Sequence, residues 1–496
     1  MQFSEQERIA EGADAIIYKF EDGKYIDNRV LKRMKYNPNM DILPSIVNEL
    51  VILNYFDHDN IIKIKDINYN YEKGEIDIIM PHMGETLISF LLKHKLNEIE
   101  KNHLIYQLLS SVNYIHLKNY VHGDLSLNNI LVQKNGNSFK ITLIDFSTTT
   151  KLQRHYRSNF YPTAYVCPFE LLQNQNVFDD NNPVSTDIFS LGCILYYIIS
   201  EVPLFIGFDK LSQHNEITEK LVKKKYQVFD LIKHHFMHKI IKKMIQLNPK
   251  KRPSIKSILE DNIVKQKFKM YSIETSFVKK NIRTEKYNID INFKMGLIHT
   301  MINYCYSKNI SYETIYLTIE NLSYLPKHNY YKGIILFWLS INIIENKPVP
   351  TDDIVKLLKS KIDNVNTKKL LINKISMIKK FKYRIDDVVL YQYLYKFNSK
   401  IRRLVIRDSL LLLSYTDKTS FTKIDIENLI DINVYTNKRD RLEIKYDLIK
   451  KIVNNRNYEQ LNYYNDNKYV NYDPSLCFKL FCTIDECFMD IPIPKV

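Results

Sequence analysis

Hydrophobic spacing divides this chain into two parts. In the first part, Ile46, Leu50 and Leu53 recur at helical intervals within L-P-S-I-V-N-E-L-V-I-L and predict a helix. Further on, two short apolar runs, Ile130 to Val132 and Ile141 to Ile144, predict strands that pin the loop between them. Beyond about residue 268 the pattern becomes one of amphipathic helices separated by short polar breaks. Helical spacing is clearest in Met295 to Tyr306, Thr314 to Leu325, Tyr331 to Ile344 and Lys368 to Phe381. No internal repeat of solenoid period accompanies them.

The length of 496 residues accommodates roughly two to four domains. With 45% hydrophobic and 26% charged residues, the composition is that of a soluble globular protein. The longest apolar run, Gly333 to Ile344, is too short to span a bilayer. A formal charge of +15 is met by a lysine-rich solvated surface or by an acidic partner. No interleaved basic and aromatic motif points to nucleic acid, although Lys223 to Lys225 and Lys239 to Lys251 are locally basic. The six cysteines lack the spacing of a zinc site, Cys477, Cys482 and Cys487 included. With no signal peptide, free thiols in a reducing compartment are expected, cytoplasmic or nuclear and not secreted.

The chemistry concentrates in Y-V-H-G-D-L-S-L-N-N-I-L-V, residues 120–132, and in the I-D-F-S at 144–147. Asp124 can accept the proton of an attacking hydroxyl, and Asn129 and Asp145 can hold metal ions that bridge phosphates. Upstream, I-A-E-G-A-D-A-I-I-Y-K places Gly12 in a small-residue loop able to approach phosphate closely. R-V-L-K then offers Lys32 to the phosphates, and Glu49 on the predicted helix can pair with it.

In that order, these residues resemble a eukaryotic-type protein kinase over about residues 9–268, and most closely the cyclin-dependent kinases. The helix around Glu49 looks like their PSTAIRE helix. By that resemblance Lys32, Glu49, Asp124, Asn129 and Asp145 are catalytic, with ATP and Mg²⁺ as cofactors and the metal on Asn129 and Asp145. ATP contacts are implied for Gly12, Ile17, Lys32, Asn129, Leu131 and Asp145. I-D-I-I-M-P-H-M looks like the hinge, with Met80 as gatekeeper and Pro81, His82 and Met83 facing adenine. Asp187 in T-D-I-F-S-L-G-C-I-L is implied as the anchor of the catalytic loop, and Glu170 and Arg252 as a buried ion pair.

The departures from the family are equally specific. Ala10 and Ala15 replace two of the usual glycines. The three arginines that clamp an activation-loop phosphate are replaced by Asn48, Gly123 and Thr150. Ser158 stands where the phosphorylated threonine would be, with Lys151, Arg154 and Arg157 near it in sequence. Activity without obligatory phosphorylation is therefore expected. Ser126 replaces the lysine that touches the transferring phosphate, and Ser147 replaces the glycine after Asp145 and Phe146. Thr163 aligns with the threonine that supports the catalytic aspartate and favours serine/threonine substrates. The connection between Phe205 and Ile240 is shorter than in the cyclin-dependent kinases.

F-K-M-G-L-I-H-T-M-I-N-Y-C-Y-S-K-N-I-S-Y-E-T-I-Y-L, residues 293–317, resembles the first helices of a cyclin box. Gly333 to Asn346 looks like its central helix, Thr351 to Leu358 and Asn366 to Phe381 like the fourth and fifth, and Tyr391 to Phe397 like entry to a second box. Lys294 stands where cyclins have an arginine, and Thr300 replaces the tryptophan of their substrate-docking patch. The expected architecture is thus an α+β bilobal kinase fold (N-lobe 9–82, C-lobe 83–268), a linker at 269–284 and an all-α cyclin-like domain. The first box covers 285–385, and 386–496 form a degenerate second box or a tail. The implied partners are ATP, a protein substrate and the chain's own helical half, with no membrane. The rival reading is a pseudokinase scaffold that binds ATP or protein partners without phosphotransfer; another makes the helical half an adaptor. Composition and architecture suggest an AT-rich giant DNA virus or a protist as the source.

Overall fold

Five described strands between Glu7 and Pro81 form an antiparallel sheet. The computed structural model describes residues 7–11, 15–19, 29–36, 44–135, 138–151, 163–172, 183–223, 228–272, 286–345, 348–362, 365–380 and four positions between 406 and 413. The strands are β1 (Glu7–Glu11), β2 (Ala15–Lys19), β3 (Arg29–Lys35), β4 (Asp66–Asn70) and β5 (Glu75–Pro81), in the order β1-β2-β3-β5-β4. Register pairs Lys32 with Ile17 on one side and Ile78 on the other, in the middle of the sheet. Helix α1 (Pro44–Tyr55) lies between β3 and β4 in sequence. Its Ile46, Val47, Leu50, Val51 and Leu53 are buried, which accounts for the helical spacing of the apolar positions.

Helices dominate the chain from Leu87 to Ser272. They are α2 (Leu87–Lys93), α3 (Glu98–Leu117), α4 (Phe169–Leu172), α5 (Val184–Ser200), α6 (Lys210–Ile217), α7 (His238–Met244), α8 (Ile255–Glu260) and α9 (Asn262–Ser272). Helix α3 starts on a reciprocal cap: Asn97 accepts from the Glu100 N–H, and Glu100 accepts from the Asn97 N–H. Helix α5 is buried on nearly every side, its polar Ser185, Thr186, Asp187 and Ser190 included. The predicted strands form β8 (Ile130–Asn135) and β9 (Ser138–Leu143), a hairpin joined at its edge by β6 (Glu85–Thr86). A second short ladder pairs β7 (Tyr120–Val121) with β10 (Thr150–Lys151). A sheet-rich N-lobe leading into a helical C-lobe is the bilobal kinase architecture. Cys167, Cys193 and Cys305 are buried.

The chain divides into two compact units, the second taking over at Ile282. In the second unit the described elements are α10 (Ile291–Lys308), α11 (Glu313–Leu322), α12 (Tyr330–Glu345), α13 (Thr351–Lys359) and α14 (Thr367–Lys380). The central α12 is buried from Gly333 to Ile343 and packs against the other four. Gly333 permits its approach to α10, because a Cβ there would come within 2.6 Å of Leu297 Cδ2. Helix α11 stops at Leu322, short of the expected Leu325. Ser323 turns its hydroxyl back onto the Glu320 carbonyl, and Pro326 disfavours helical backbone at Leu325. Lys294 and Lys374 are fully buried. Lys374 Nζ donates to Asn342 Oδ1 at 2.6 Å and lies 3.8 Å above the Trp338 ring, so its charge is hydrogen-bonded and faces the ring's negative face. Tyr391 to Phe397 and Cys477, Cys482 and Cys487 lie outside the described residues. Among the described residues no helix is long and apolar enough to cross a membrane.

Candidate active site

β3 delivers Lys32 and α1 delivers Glu49. Lys32 Nζ reaches both oxygens of the Glu49 carboxylate, at 2.6 and 2.8 Å, and stands 3.8 Å from Asp145 Oδ1. The Lys32 and Glu49 side chains are 14% and 3% exposed, so the pair is held away from bulk water, where attraction between charges is strongest. Asp145 itself keeps 39% of its side-chain surface open. Burial works to raise its pKa, but Lys32, hydrogen bonds from Ser147 and nearby His122 outweigh it and hold the carboxyl below its ordinary value. Asp145 occupies the left-handed region at φ 61°, a conformation rarely adopted without glycine. Ser147 Oγ donates to its Oδ1 at 2.8 Å and helps to retain it there.

Asp124 lies on the loop between β7 and β8. Its Oδ1 accepts from both Thr163 N and Thr163 Oγ1 at 2.8 Å, and its Oδ2 accepts from Asn129 Nδ2 at 2.9 Å. Asn129 Nδ2 also donates to the Asp124 carbonyl at 2.8 Å, which fixes the amide and leaves its side-chain oxygen as an acceptor. A carboxylate and an amide oxygen are the hard donors that Mg²⁺ takes in combination with phosphate oxygens, so Asp145 and Asn129 fit that ion. Among the described residues no cluster of three or more His, Cys, Asp or Glu is gathered to hold a metal through protein ligands alone.

The loop is suspended from α5. Asp187, 1% exposed, accepts from Gly123 N at 2.9 Å through Oδ1, and from His122 N at 2.8 Å through Oδ2. His116 Nε2 lies 2.9 Å from the same Oδ2. Gly123 has φ 89°, so glycine at this position meets a backbone requirement. Phe146 is fully buried against Phe56 and His122, with ring centroids 5.7 and 4.9 Å away.

Ile17 lies on β2 and Leu131 on β8, both half-buried. Met80 is 8% exposed at the end of β5, and Pro81, His82 and Met83 continue from it. Burial lowers the His82 pKa, with a further lowering from Lys19. Ser126 is buried, so it offers no surface group where the family has its lysine. Gly12, Ser158, Arg154 and Arg157 lie outside the described residues. Glu170 and Arg252 meet in a buried bidentate pair at 2.5 and 2.8 Å. Sequence reasoning missed His116, His122, Thr148 and Thr149, although the run T-T-T at 148–150 is the one local sign of a hydroxyl-lined turn.

A two-lobed fold with a lysine–glutamate pair beside one carboxylate and a second carboxylate caged by threonine and asparagine defines a phosphotransferase class of site. A protein kinase domain model matches residues 3–264, and the chain belongs to the protein kinase family. It is similar to the CTD kinase subunit alpha of Schizosaccharomyces pombe, 29% identical over 212 residues that cover 42% of this chain and 34% of that one. Cyclin-dependent kinase 12 of Drosophila melanogaster is 27% identical over 227 residues, 43% of this chain and 19% of the relative. A serine/threonine-protein kinase homologue of Acanthamoeba polyphaga mimivirus is 30% identical over 220 residues, 43% and 33% of the two chains. The chain thus spans about a third or less of the length of these relatives.

Proposed function

We propose that this chain is a serine/threonine protein kinase that transfers the ATP γ-phosphate to protein hydroxyls, activated in cis by its own cyclin-like domain. The observation that carries the catalytic part is the joint geometry of Lys32, Glu49 and Asp145 beside Asp124, Asn129 and Thr163. In this reading Asp124 accepts the proton of the substrate hydroxyl, and Thr163 and Asn129 hold its two oxygens in place for that transfer. Lys32 steadies the α- and β-phosphates and Glu49 orients Lys32. Asp145 and Asn129 hold Mg²⁺, which when bound neutralises charge on the phosphates. Gly12 and Ile17 cover the nucleotide, Leu131 supports it from below, and Met80, Pro81, His82 and Met83 receive adenine. Catalysis is then mainly positioning and electrostatic stabilisation.

Support for the cyclin-like assignment of residues 285–385 comes from the helical order α10 to α14 around a buried α12, together with the sequence resemblance. The cyclin-dependent kinase among the relatives favours the same pairing. Composition and the mimivirus relative favour an AT-rich giant virus or protist source. The scaffold alternative draws on Ser126, whose burial leaves the transferring phosphate without its usual cation.

The deciding experiment measures transfer of labelled γ-phosphate to a generic basic protein by the full chain. Asp124→Asn and Asp145→Asn should each reduce the rate by at least about a hundredfold. Equal phosphate incorporation by wild type and both variants, or none by wild type despite ATP binding, would overturn the enzyme reading in favour of the scaffold.

A further inference from the structure

Asn48 is a buried polar side chain that the phosphotransfer residues leave unexplained. It precedes Glu49 on α1, is 8% exposed, and its Nδ2 donates to the Thr149 carbonyl at 2.6 Å. Consecutive helical residues project about 100° apart. Glu49 therefore fastens α1 to β3 through Lys32, while Asn48 fastens it to the segment beyond Asp145. Added to the buried apolar face of α1, two attachments at that angle define the roll of the helix about its axis more closely than one does.

Thr149 is itself a fixed point. It is fully buried, its N–H donates to the Phe146 carbonyl at 3.2 Å, and its Oγ1 donates to the His122 carbonyl at 3.1 Å. Thr148 Oγ1 reaches the same carbonyl at 3.0 Å, and Thr150 pairs with Val121 in the β7–β10 ladder. His122 N then donates to Asp187, which also holds the loop of Asp124. A hydrogen-bonded path thus runs from α1 to the Asp124 loop without a phosphate, through the residues that stand where the related kinases carry two of their clamping arginines.

We propose that Asn48 is a positioning residue: by donating to Thr149 it holds α1 in the roll at which Glu49 meets Lys32, so that a neutral amide does the work of an arginine–phosphate clamp. The proposal rests on the kinase reading, and it makes Ser158 phosphorylation dispensable for closing the Lys32–Glu49 pair.

The test uses the full chain with Asn48→Leu and Asn48→Asp. Leu fills the space without a donor, and kcat should fall about tenfold while KM for the protein substrate changes little. Asp is isosteric but presents an acceptor to the Thr149 carbonyl until it is protonated, when its O–H can donate. Burial raises such a carboxyl, so the Asn48→Asp to wild-type activity ratio should climb as pH falls from about 8 to about 6. The titratable groups on the elements that meet here (Glu49, Lys32, His122, Asp145 and Lys151) are common to both proteins, so the ratio removes their effects. A ratio that stays flat, or an Asn48→Leu protein as active as wild type, would overturn the proposal. Amide hydrogen exchange across Pro44–Tyr55 separates this failure from failure of the kinase reading. Even with no phosphotransfer in any protein, the tether requires faster exchange of that helix in Asn48→Leu, and unchanged protection refutes it.

Discussion

His58 shows how one side chain sets a pH limit on the fold. It lies just past α1, and its Nδ1 accepts the Asn60 N–H at 3.0 Å, an arrangement open only to the neutral ring. Its Nε2 lies 3.4 Å from Ser110 Oγ, and the ring packs 5.2 Å from that of Tyr114 on α3. Burial pushes its pKa down to about 4. The folded value lies below the unfolded value of about 6.5, so the unfolded chain takes up a proton that the folded chain refuses. Stability is therefore fully present above about pH 6.5, declines as pH falls toward 4, and levels off below; the full effect is on the order of 3 kcal/mol. Urea midpoints at about pH 7.5, 6 and 5 should fall for wild type and fall markedly less for His58→Gln. A wild-type midpoint that stays level across that range would contradict the assignment. Asp145 does not confuse the measurement. Its depressed carboxyl contributes stability that persists above the ordinary carboxylate range and is lost only at lower pH.

Between elements, the connection with most at stake is the Glu170–Arg252 pair. It joins α4 to the segment before α8, and Arg252 also donates to the Ser185 and Gln246 carbonyls while lying 4.8 Å from the Phe189 ring centroid of α5. Arg252→Leu strands a buried carboxylate and should cost about 3–5 kcal/mol in chemical denaturation, whereas replacing both partners with apolar residues should cost much less. A loss below about 1 kcal/mol for the single change would show that water reaches the pair. Elements differ in how plainly their residues announce them. The helices of the second unit were legible because their apolar period matches buried faces, and β8 and β9 because two short apolar runs lie close together in sequence. The end of α11 was misplaced because Ser323 looks like any helical residue until its hydroxyl folds back onto Glu320. The residue types at the site were legible from spacing, since Lys, Glu, Asp and Asn carry their chemistry in their side chains. The Asn48 attachment was not, because its acceptor is a main-chain carbonyl and carbonyls leave no mark in a sequence. Asn48 and Ser147 read as mere losses, and in the fold each makes a hydrogen bond beside the site.

For the whole molecule, the question is why a kinase domain and a helical domain share one chain. A kinase that depends on a separate activator is active only in proportion to the bound fraction; a covalent link replaces that equilibrium with an effective concentration on the order of millimolar. The linkage matters only if the helical unit biases α1 toward the roll in which Glu49 meets Lys32. The two units have their own apolar cores, around α5 in one and α12 in the other, so a chain ending near Ser272 should remain folded. We expect that truncation to lower kcat at least about tenfold, with a sharp thermal transition retained and faster amide exchange across Pro44–Tyr55. The separately made helical unit, added in trans, should restore activity only at concentrations approaching the effective one, because the ends are no longer joined. Full activity in the truncated chain would remove activation in cis and leave the helical unit as an adaptor. Loss of activity with unchanged exchange in α1 would mean that the helical unit serves substrate capture, which a rise in KM at constant kcat would then reveal.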